Sequence, residues 1–298
     1  MATARAYVAT DMSEDGKPYI GQIESYDESR IVISDGAHTS IYEGKFSYSY
    51  RGEVFGTLRA LTNKLGDEIT AEVAGINRDM HHFNELLLQG GLAAEAYVLS
   101  WGDRIYGSNQ RDVLLGFTGP DMIDGGGGND EILGGYGNDA LFGRTGNDNL
   151  DGGQGRDVLD GGVGNDLLQG GWGEDDLIGG WGRDILIGGG LADKLTGGGG
   201  GDTFRFNSVA EAGLGDRADT IMDFQHSDRI DLSGIDADTH TAGDQAFAYV
   251  WGREFSGAAG ELRFADGLLS GDVNGDGAAD FSIEVIGDGQ LFKFDLLL

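Results

Sequence analysis

The chain has 298 residues, of which 56 are Gly, 2 are Pro and none is Cys, and 51 acidic side chains against 20 basic ones give a formal net charge of −31. Without Cys there are no disulfides, thiolate metal sites or cysteine nucleophiles, and without a basic footprint nucleic acid is not an expected partner. Gly enrichment without Pro excludes collagen and Pro-rich linkers.

The opening residues 1–10 contain no basic segment leading into an apolar run, so no cleaved N-terminal signal is expected. No apolar stretch approaches the ~18 residues of a membrane span. Over residues 1–100, alternating apolar and polar side chains predict strands at 19–23, 30–33, 45–50, 53–61 and 68–73. One helix is expected over 79–89, with Met80, Phe83, Leu86 and Leu87 on one face. This part reads as a β-rich domain.

A nine-residue period then takes over. Asp103, Asp112, Asp121, Asp130, Asp139, Asp148, Asp157, Asp166, Asp175, Asp184, Asp193 and Asp202 follow one another at intervals of nine. Two residues after each comes a large apolar side chain, from Ile105 and Leu114 through to Phe204, and five residues before stands Gly, from Gly107 to Gly197. Clear copies read GGGGNDEIL, GGYGNDALF and GGVGNDLLQ. A flexible linker has no reason to keep an apolar residue at every ninth position.

The repeat GGxGxD-x-U-x, with U apolar, predicts a calcium-binding parallel β-roll over 101–205. Gly tolerates the positive φ of a tight turn and lets turn carbonyls face a metal, while Asp supplies charge. Ca²⁺ takes six to eight oxygens, and carbonyls with carboxylates suit it. The expected ligands are the carboxylates of Asp112 through Asp202 and backbone oxygens of the turns. Those turn residues are Gly125, Gly127, Gly134, Tyr136, Gly143, Thr145, Gly152, Gln154, Gly161, Val163, Gly170, Trp172, Gly179, Trp181 and Gly188. Three residues after each Asp should form a short strand whose apolar member points inward. Two nonapeptides make a coil of 18 residues, so alternate Asp residues fall on opposite edges. Six loops per edge leave five gaps, an upper bound of about ten ions. Six coils at ~4.8 Å spacing make a slab about 29 Å long. The copies at Asp103, Asp112, Asp121 and Asp193 lose glycines, with Val98 and Leu99, Gln110, Phe117 and Leu191 in their places.

Residues 206–298 alternate again, predicting strands at 220–224, 229–232, 247–250, 261–264, 281–286 and 291–294. Within them Asp272, Asn274, Asp276 and Asp280 place oxygens around Gly277 as in the opening of an EF-hand-type loop. Ile283 stands where the bidentate Glu of such a loop belongs. One further calcium ion is expected there. The chain as a whole reads as all-β: an N-terminal β-rich domain (1–100), the roll (101–205) and a C-terminal β-rich domain (206–298).

The repeat block resembles the RTX (repeat-in-toxin) proteins, and the tail resembles the C-terminal domain of the serralysin metalloproteases. Its matching stretches are 202–206, 219–224, 227–233, 255–261 and 271–281. Residues 35–50 resemble an N-terminal segment of other RTX proteins, with no function attached. The resemblance implies calcium binding and export by a type I secretion apparatus that reads an uncleaved C-terminal signal. The ending Asp295-Leu-Leu-Leu298 is similar to the acidic-then-apolar ending of the family. A secreted or cell-surface location follows from the same resemblance.

Serralysins carry HExxH, but no His-Glu pair occurs in this sequence, and His81 and His82 are adjacent, so they cannot act as an i, i+4 pair. There is no GxSxG nucleophile elbow either. The expectation is a non-enzymatic protein of the cell surface or extracellular matrix, acting in adhesion, surface-layer formation or self-assembly, with itself or a surface polysaccharide as partner. The alternative is a small carbohydrate-active enzyme or polysaccharide-binding module with an RTX tail.

Overall fold

The computed structural model describes the strand backbones within residues 8–79, residue 102, and residues 104–298 apart from 288. Six N-terminal strands form an antiparallel meander: β1 (Val8–Met12), β2 (Pro18–Tyr26), β3 (Arg30–Ser34), β4 (His38–Tyr48), β5 (Val54–Leu65) and β6 (Glu68–Asp79). Asp79 ends β6, and the rest of the helix expected over 79–89 lies outside the described residues, as do His81, His82 and Asp103.

The nine-residue period becomes a two-sheet parallel roll. One sheet holds β7 (Arg104–Tyr106), β9 (Met122–Asp124), β11 (Ala140–Phe142), β13 (Val158–Val163), β15 (Asp176–Gly182), β17 (Lys194–Gly200) and β19 (Asp219–Phe224). The other holds β8 (Val113–Leu115), β10 (Glu131–Tyr136), β12 (Asn149–Gln154), β14 (Leu167–Trp172), β16 (Ile185–Gly190), β18 (Thr203–Arg205) and β20 (Arg229–Asp231). Pairing is in register at 18 residues, as in Leu150↔Leu168 and Leu159↔Leu177. Apart from β11, which keeps the expected three residues, the strands from β10 to β17 run six or seven. Here the Gly pair continues the ladder, because the first Gly faces inward where there is no room for a side chain.

The core of the roll is one side chain thick. Ile123, Leu141, Leu159, Leu177 and Leu195 line one sheet, and Ile132, Leu150, Leu168, Leu186 and Phe204 the other, all fully buried. Each 18-residue coil therefore hides two apolar side chains and keeps several flexible glycines ordered.

The roll does not stop at Arg205. Lys194 pairs with Thr220 and Thr203 with Arg229, a spacing of 26 residues, so an eight-residue insertion precedes a further coil. The insertion includes a short helix, α1 (Val209–Ala212), capped by the Ser208 hydroxyl, which accepts from the Glu211 N–H. Both sheets then run on into the C-terminal part. β19 pairs with β24 (Phe281–Gly287), itself in an antiparallel meander with β22 (Glu261–Ala265) and β23 (Leu268–Asp272), and Ala248–Tyr249 forms the short β21 beside β22. β20 pairs with β25 (Leu296–Leu297). The strand expected at 291–294 is not formed. Residues Lys293–Asp295 make a 3₁₀ turn in which the Asp295 carboxylate accepts the Phe292 N–H at 2.7 Å, and the strand begins at Leu296. At the other end β6 runs antiparallel to β7, Val73 opposite Ile105, so the meander covers the first edge of one sheet.

Within the roll, three turn positions hold side chains in the left-handed region: Phe117 (φ 70°), Arg144 (φ 73°) and Leu191 (φ 89°). Arg144 is compensated by its Nε and Nη2, which both donate to Oδ2 of Asp124 at 3.0 and 2.7 Å. Leu191 is half exposed and has no such partner. Leu191→Gly is therefore expected to raise stability by about 1 kcal/mol, measured by denaturant unfolding in calcium; an unchanged or lowered midpoint would count against strain at this turn.

Candidate metal centre

Each coil places its aspartate at the start of a strand, side chain inward and almost fully buried. One carboxylate oxygen is engaged. The backbone N–H of Asp112 donates to Oδ1 of Asp130, that of Asp121 to Asp139, that of Asp130 to Asp148, and so on along both edges, at 2.7–3.1 Å. The second oxygen is left over. On one edge Oδ2 of Asp130, Asp148, Asp166, Asp184 and Asp202 is buried without a hydrogen-bond partner, and on the other Oδ2 of Asp139, Asp157, Asp175, Asp193 and Asp219. A buried acceptor left unpaired is costly, and a repeated one marks a missing ligand.

The surroundings of these atoms fit a hard cation. A Cβ added to Gly152 would lie 2.6 Å from Asp157 Oδ2 and 2.6 Å from the Gly170 carbonyl oxygen. The same cradle of one carboxylate and one carbonyl oxygen recurs at Gly134, Gly143, Gly161, Gly170 and Gly179. The cradle needs Gly125 through Gly188 to lack side chains, which is why glycine recurs five residues before each Asp. Among the described residues no three His, Cys, Asp or Glu side chains converge, so an ion in the roll would take its oxygens from one or two carboxylates and from the backbone.

The residues three before each Asp take part in the ladder through their backbone. Their side chains face solvent, and the carbonyls of Tyr136, Thr145, Gln154, Val163, Trp172 and Trp181 each accept an N–H from the glycine one coil earlier, at 2.7–2.9 Å. Each keeps one lone pair. Gly127 instead donates its N–H to the Ser108 carbonyl.

Burial, together with the carboxylates above and below, raises the ladder's pKa values. Desolvation first, then neighbouring aspartates, push Asp157 up to about 6 and Asp166 and Asp175 to about 7, and at Asp219 to about 9. Asp130, Asp193 and Asp202 rise to about 6 for the same first cause.

The ends of the ladder close on themselves. Asp112 Oδ2 accepts from both the N–H and the hydroxyl of Ser108, at 2.6 and 2.9 Å, where most other copies have Gly. Asp228 Oδ2 accepts the Gln225 N–H at 2.8 Å. Asp223 accepts the N–H groups of Gly197 and Gly198 at 2.9 and 2.8 Å, closing the last turn of the same edge. Asp219, Asp223 and Asp228 were absent from the residues singled out by period. Their signal is Asp219-Thr-Ile and Asp228-Arg-Ile, two Asp-x-apolar units nine residues apart but displaced from the earlier phase.

The loop 272–280 is built otherwise. The Asp272 carboxylate accepts the N–H groups of Gly275 and Gly277, Asp280 accepts those of Val273 and Asn274 and the Asn274 side-chain amide, Asn274 Oδ1 accepts from Asp276, and Asp276 from Ala278. Its oxygens are turned to the loop's own amides and do not converge on one point.

Two family models match. Residues 121–298 match the peptidase M10 serralysin C-terminal model, and residues 102–132 match the RTX calcium-binding nonapeptide repeat model. Comparison with curated proteins returned no match. Among solved structures, a subunit of the mannuronan C5-epimerase of Azotobacter vinelandii is 22% identical, over 66% of this chain and 78% of that one. Its TM-score of 0.25 is too low for the likeness to bear on fold or function.

Two outcomes follow from the cradle and its carboxylates. Gly161→Ala puts a Cβ 2.6 Å from Asp166 Oδ2 and 2.7 Å from the Gly179 carbonyl oxygen; it should cost about 1–3 kcal/mol and lower the calcium stoichiometry measured by equilibrium dialysis, and an unaltered stoichiometry would refute the cradle as a metal position. The second outcome concerns pH without calcium. Folded-state pKa values of about 6 to 7 lie above the ordinary 3.8, so protonated carboxyls favour the folded roll. That stabilisation is complete below 3.8 and is lost as pH rises through about 7. Metal-free protein should therefore show more β signal by circular dichroism at pH 4.5 than at pH 8, and the reverse order would contradict the assignment.

Proposed function

The chain belongs to the RTX calcium-binding family with a serralysin-type C-terminal domain, and on that premise we propose an exported protein that folds on calcium outside the cell and acts there non-enzymatically. The observation that carries this reading is the pair of columns of buried, unpartnered carboxylate oxygens. Each is tolerable only if protonated or bound to a cation, and at neutral pH a divalent, oxygen-seeking ion fits both the charge and the donors. Metal affinity then becomes folding free energy.

The proposed ligands are the carboxylates of the Asp130–Asp202 stretch with Asp121 and Asp219, completed by carbonyls of the inward glycines and of the turn residues three before each Asp. Five unpartnered oxygens on each edge favour a stoichiometry of about ten. Asp112, whose Oδ2 is already engaged by the Ser108 N–H and hydroxyl, is the weakest of the predicted ligands. An ion at 272–280 has to displace amide bonds from Asp272 and Asp280, so we place it last in the order of filling.

A chain that stays unfolded in a low-calcium cytoplasm and folds in a high-calcium exterior suits a type I secretion apparatus, which is the export route we propose. Outside, the role proposed is adhesion, surface-layer formation or self-assembly, with the N-terminal part (1–100) making partner contacts and the C-terminal domain (206–298) as the cap. The continuity of β6 with β7 and of β25 with β20 supports the capping part of this reading.

Calcium titration of EGTA-stripped protein followed by circular dichroism tests the proposal. The β signal should rise with calcium and saturate near ten equivalents; a full signal before any addition would overturn it. Light scattering on the same samples reads the assembly role, which a strict monomer at every calcium level would exclude.

A further inference from the structure

The outward side of the turns is as regular as the inward side. The residue three before each Asp points to solvent, and parallel pairing stacks these positions in register. Along one edge Tyr136 lies beside Gln154, Gln154 beside Trp172 and Trp172 beside Gly190. Along the other, Val163 lies beside Trp181 and Trp181 beside Gly199. Exposure of these rings is what calls for a reason: Trp172 is 69% exposed, Trp181 74% and Tyr136 59%.

Both tryptophans are presented in the same way. A Cβ on Gly190 would sit 3.7 Å from Cδ2 of the Trp172 ring, and a Cβ on Gly199 3.2 Å from Cε3 of Trp181. Each indole rests on a glycine of the next coil, which supports one side of the ring and leaves the other open. Only the first edge pairs its tryptophan with a second aromatic residue. Tyr136 and Trp172 are two strand spacings apart, roughly 9.6 Å, about the length of a disaccharide unit in an extended 1,4-linked glycan. Gln154, an exposed amide, stands between them.

The strip is uncharged in a chain of net charge −31. The turns bordering it carry Asn138 and the ion pair Arg156–Glu174 at 4.0 Å, whose charges cancel. A polyanion would meet the field of the whole chain, whereas a neutral sugar ring offers C–H groups to an aromatic face and hydroxyls to an amide.

We propose that Tyr136, Gln154 and Trp172 form a binding strip for an uncharged, extended 1,4-linked glycan, the two rings stacking on sugars two units apart and Gln154 bonding hydroxyls between them. The proposal rests on the calcium-folded state, because only the roll holds these residues in register.

Isothermal titration of calcium-saturated full-length protein with cellohexaose and xylohexaose tests it, with oligogalacturonate as the acidic comparison. Binding of a neutral hexaose is expected, weakened roughly tenfold by Trp172→Ala or Tyr136→Ala and unchanged by Trp181→Ala on the opposite edge. Absence of neutral-glycan binding, tighter binding of oligogalacturonate, equal loss with Trp181→Ala, or a Trp172-dependent dimer that binds no sugar would each overturn it. Circular dichroism of each sample separates the two readings: a chain with no calcium-induced β signal fails the folding proposal, and a chain with that signal but no sugar binding fails the strip alone.

Discussion

A backbone N–H donated to the carboxylate of the aspartate one coil further on is the interaction from which the rest of this molecule follows. It fixes the rise of the roll, turns each side chain inward and spends one carboxylate oxygen of the two. The other oxygen is thereby delivered, without a partner, into a space walled by glycine and a carbonyl of the next coil. Structure and ligand demand arise from the same hydrogen bond. A fold with a thicker apolar core could tolerate the loss of such a site. Here two buried aliphatic side chains per coil are all that lies behind it, and the stacked charges act against them.

Much of this was legible in the residues themselves. The interval of nine predicted which aspartates share an edge and which leucines face each other, and Leu150↔Leu168 and Leu159↔Leu177 pair as that interval requires. What escaped it has identifiable causes. Asp219 and Asp228 keep the interval of nine between themselves but sit after an eight-residue insertion, and a search at constant phase passes over them. The strands are longer than three residues because a Gly pair reads as a turn by composition, while here the first Gly has inward strand geometry. Leu291 to Phe294 alternates like a strand, yet the Asp295 carboxylate caps a turn across it, a local side-chain choice that alternation does not encode. In the loop 272–280 the spacing of oxygens was visible and their orientation was not, since carboxylates can serve neighbouring amides as readily as a metal.

The two faces of the turn divide its labour. Inward positions admit almost no variation, because any Cβ meets a carboxylate or a carbonyl. Outward positions are filled by Tyr136, Thr145, Gln154, Val163, Trp172 and Trp181, residues with nothing in common except exposure. The scaffold therefore offers a surface whose chemistry is free to vary while its spacing is held by the backbone ladder. Recognition written on such a surface inherits the metal dependence of the scaffold beneath it.

The amide-to-carboxylate bond also has a sense. The backbone N–H of Asp157 donates to Asp175, that of Asp175 to Asp193 and that of Asp193 to Asp219, so each carboxylate accepts from the coil before it, whereas the side chains of Asn138, Asn147 and Asn165 accept amides from the coil after. The last donors are met by groups outside the repeat, Asp223 and Asp228, which are held by the C-terminal part. The carboxylate ladder is thus polar in the way a filament is polar, with its final acceptors supplied by the C-terminal part, while the asparagine ladder beside it runs the other way. Removing coils from the front shortens the carboxylate ladder, whereas removing the C-terminal part takes the acceptors away from the amides of Gly197, Gly198 and Asp202.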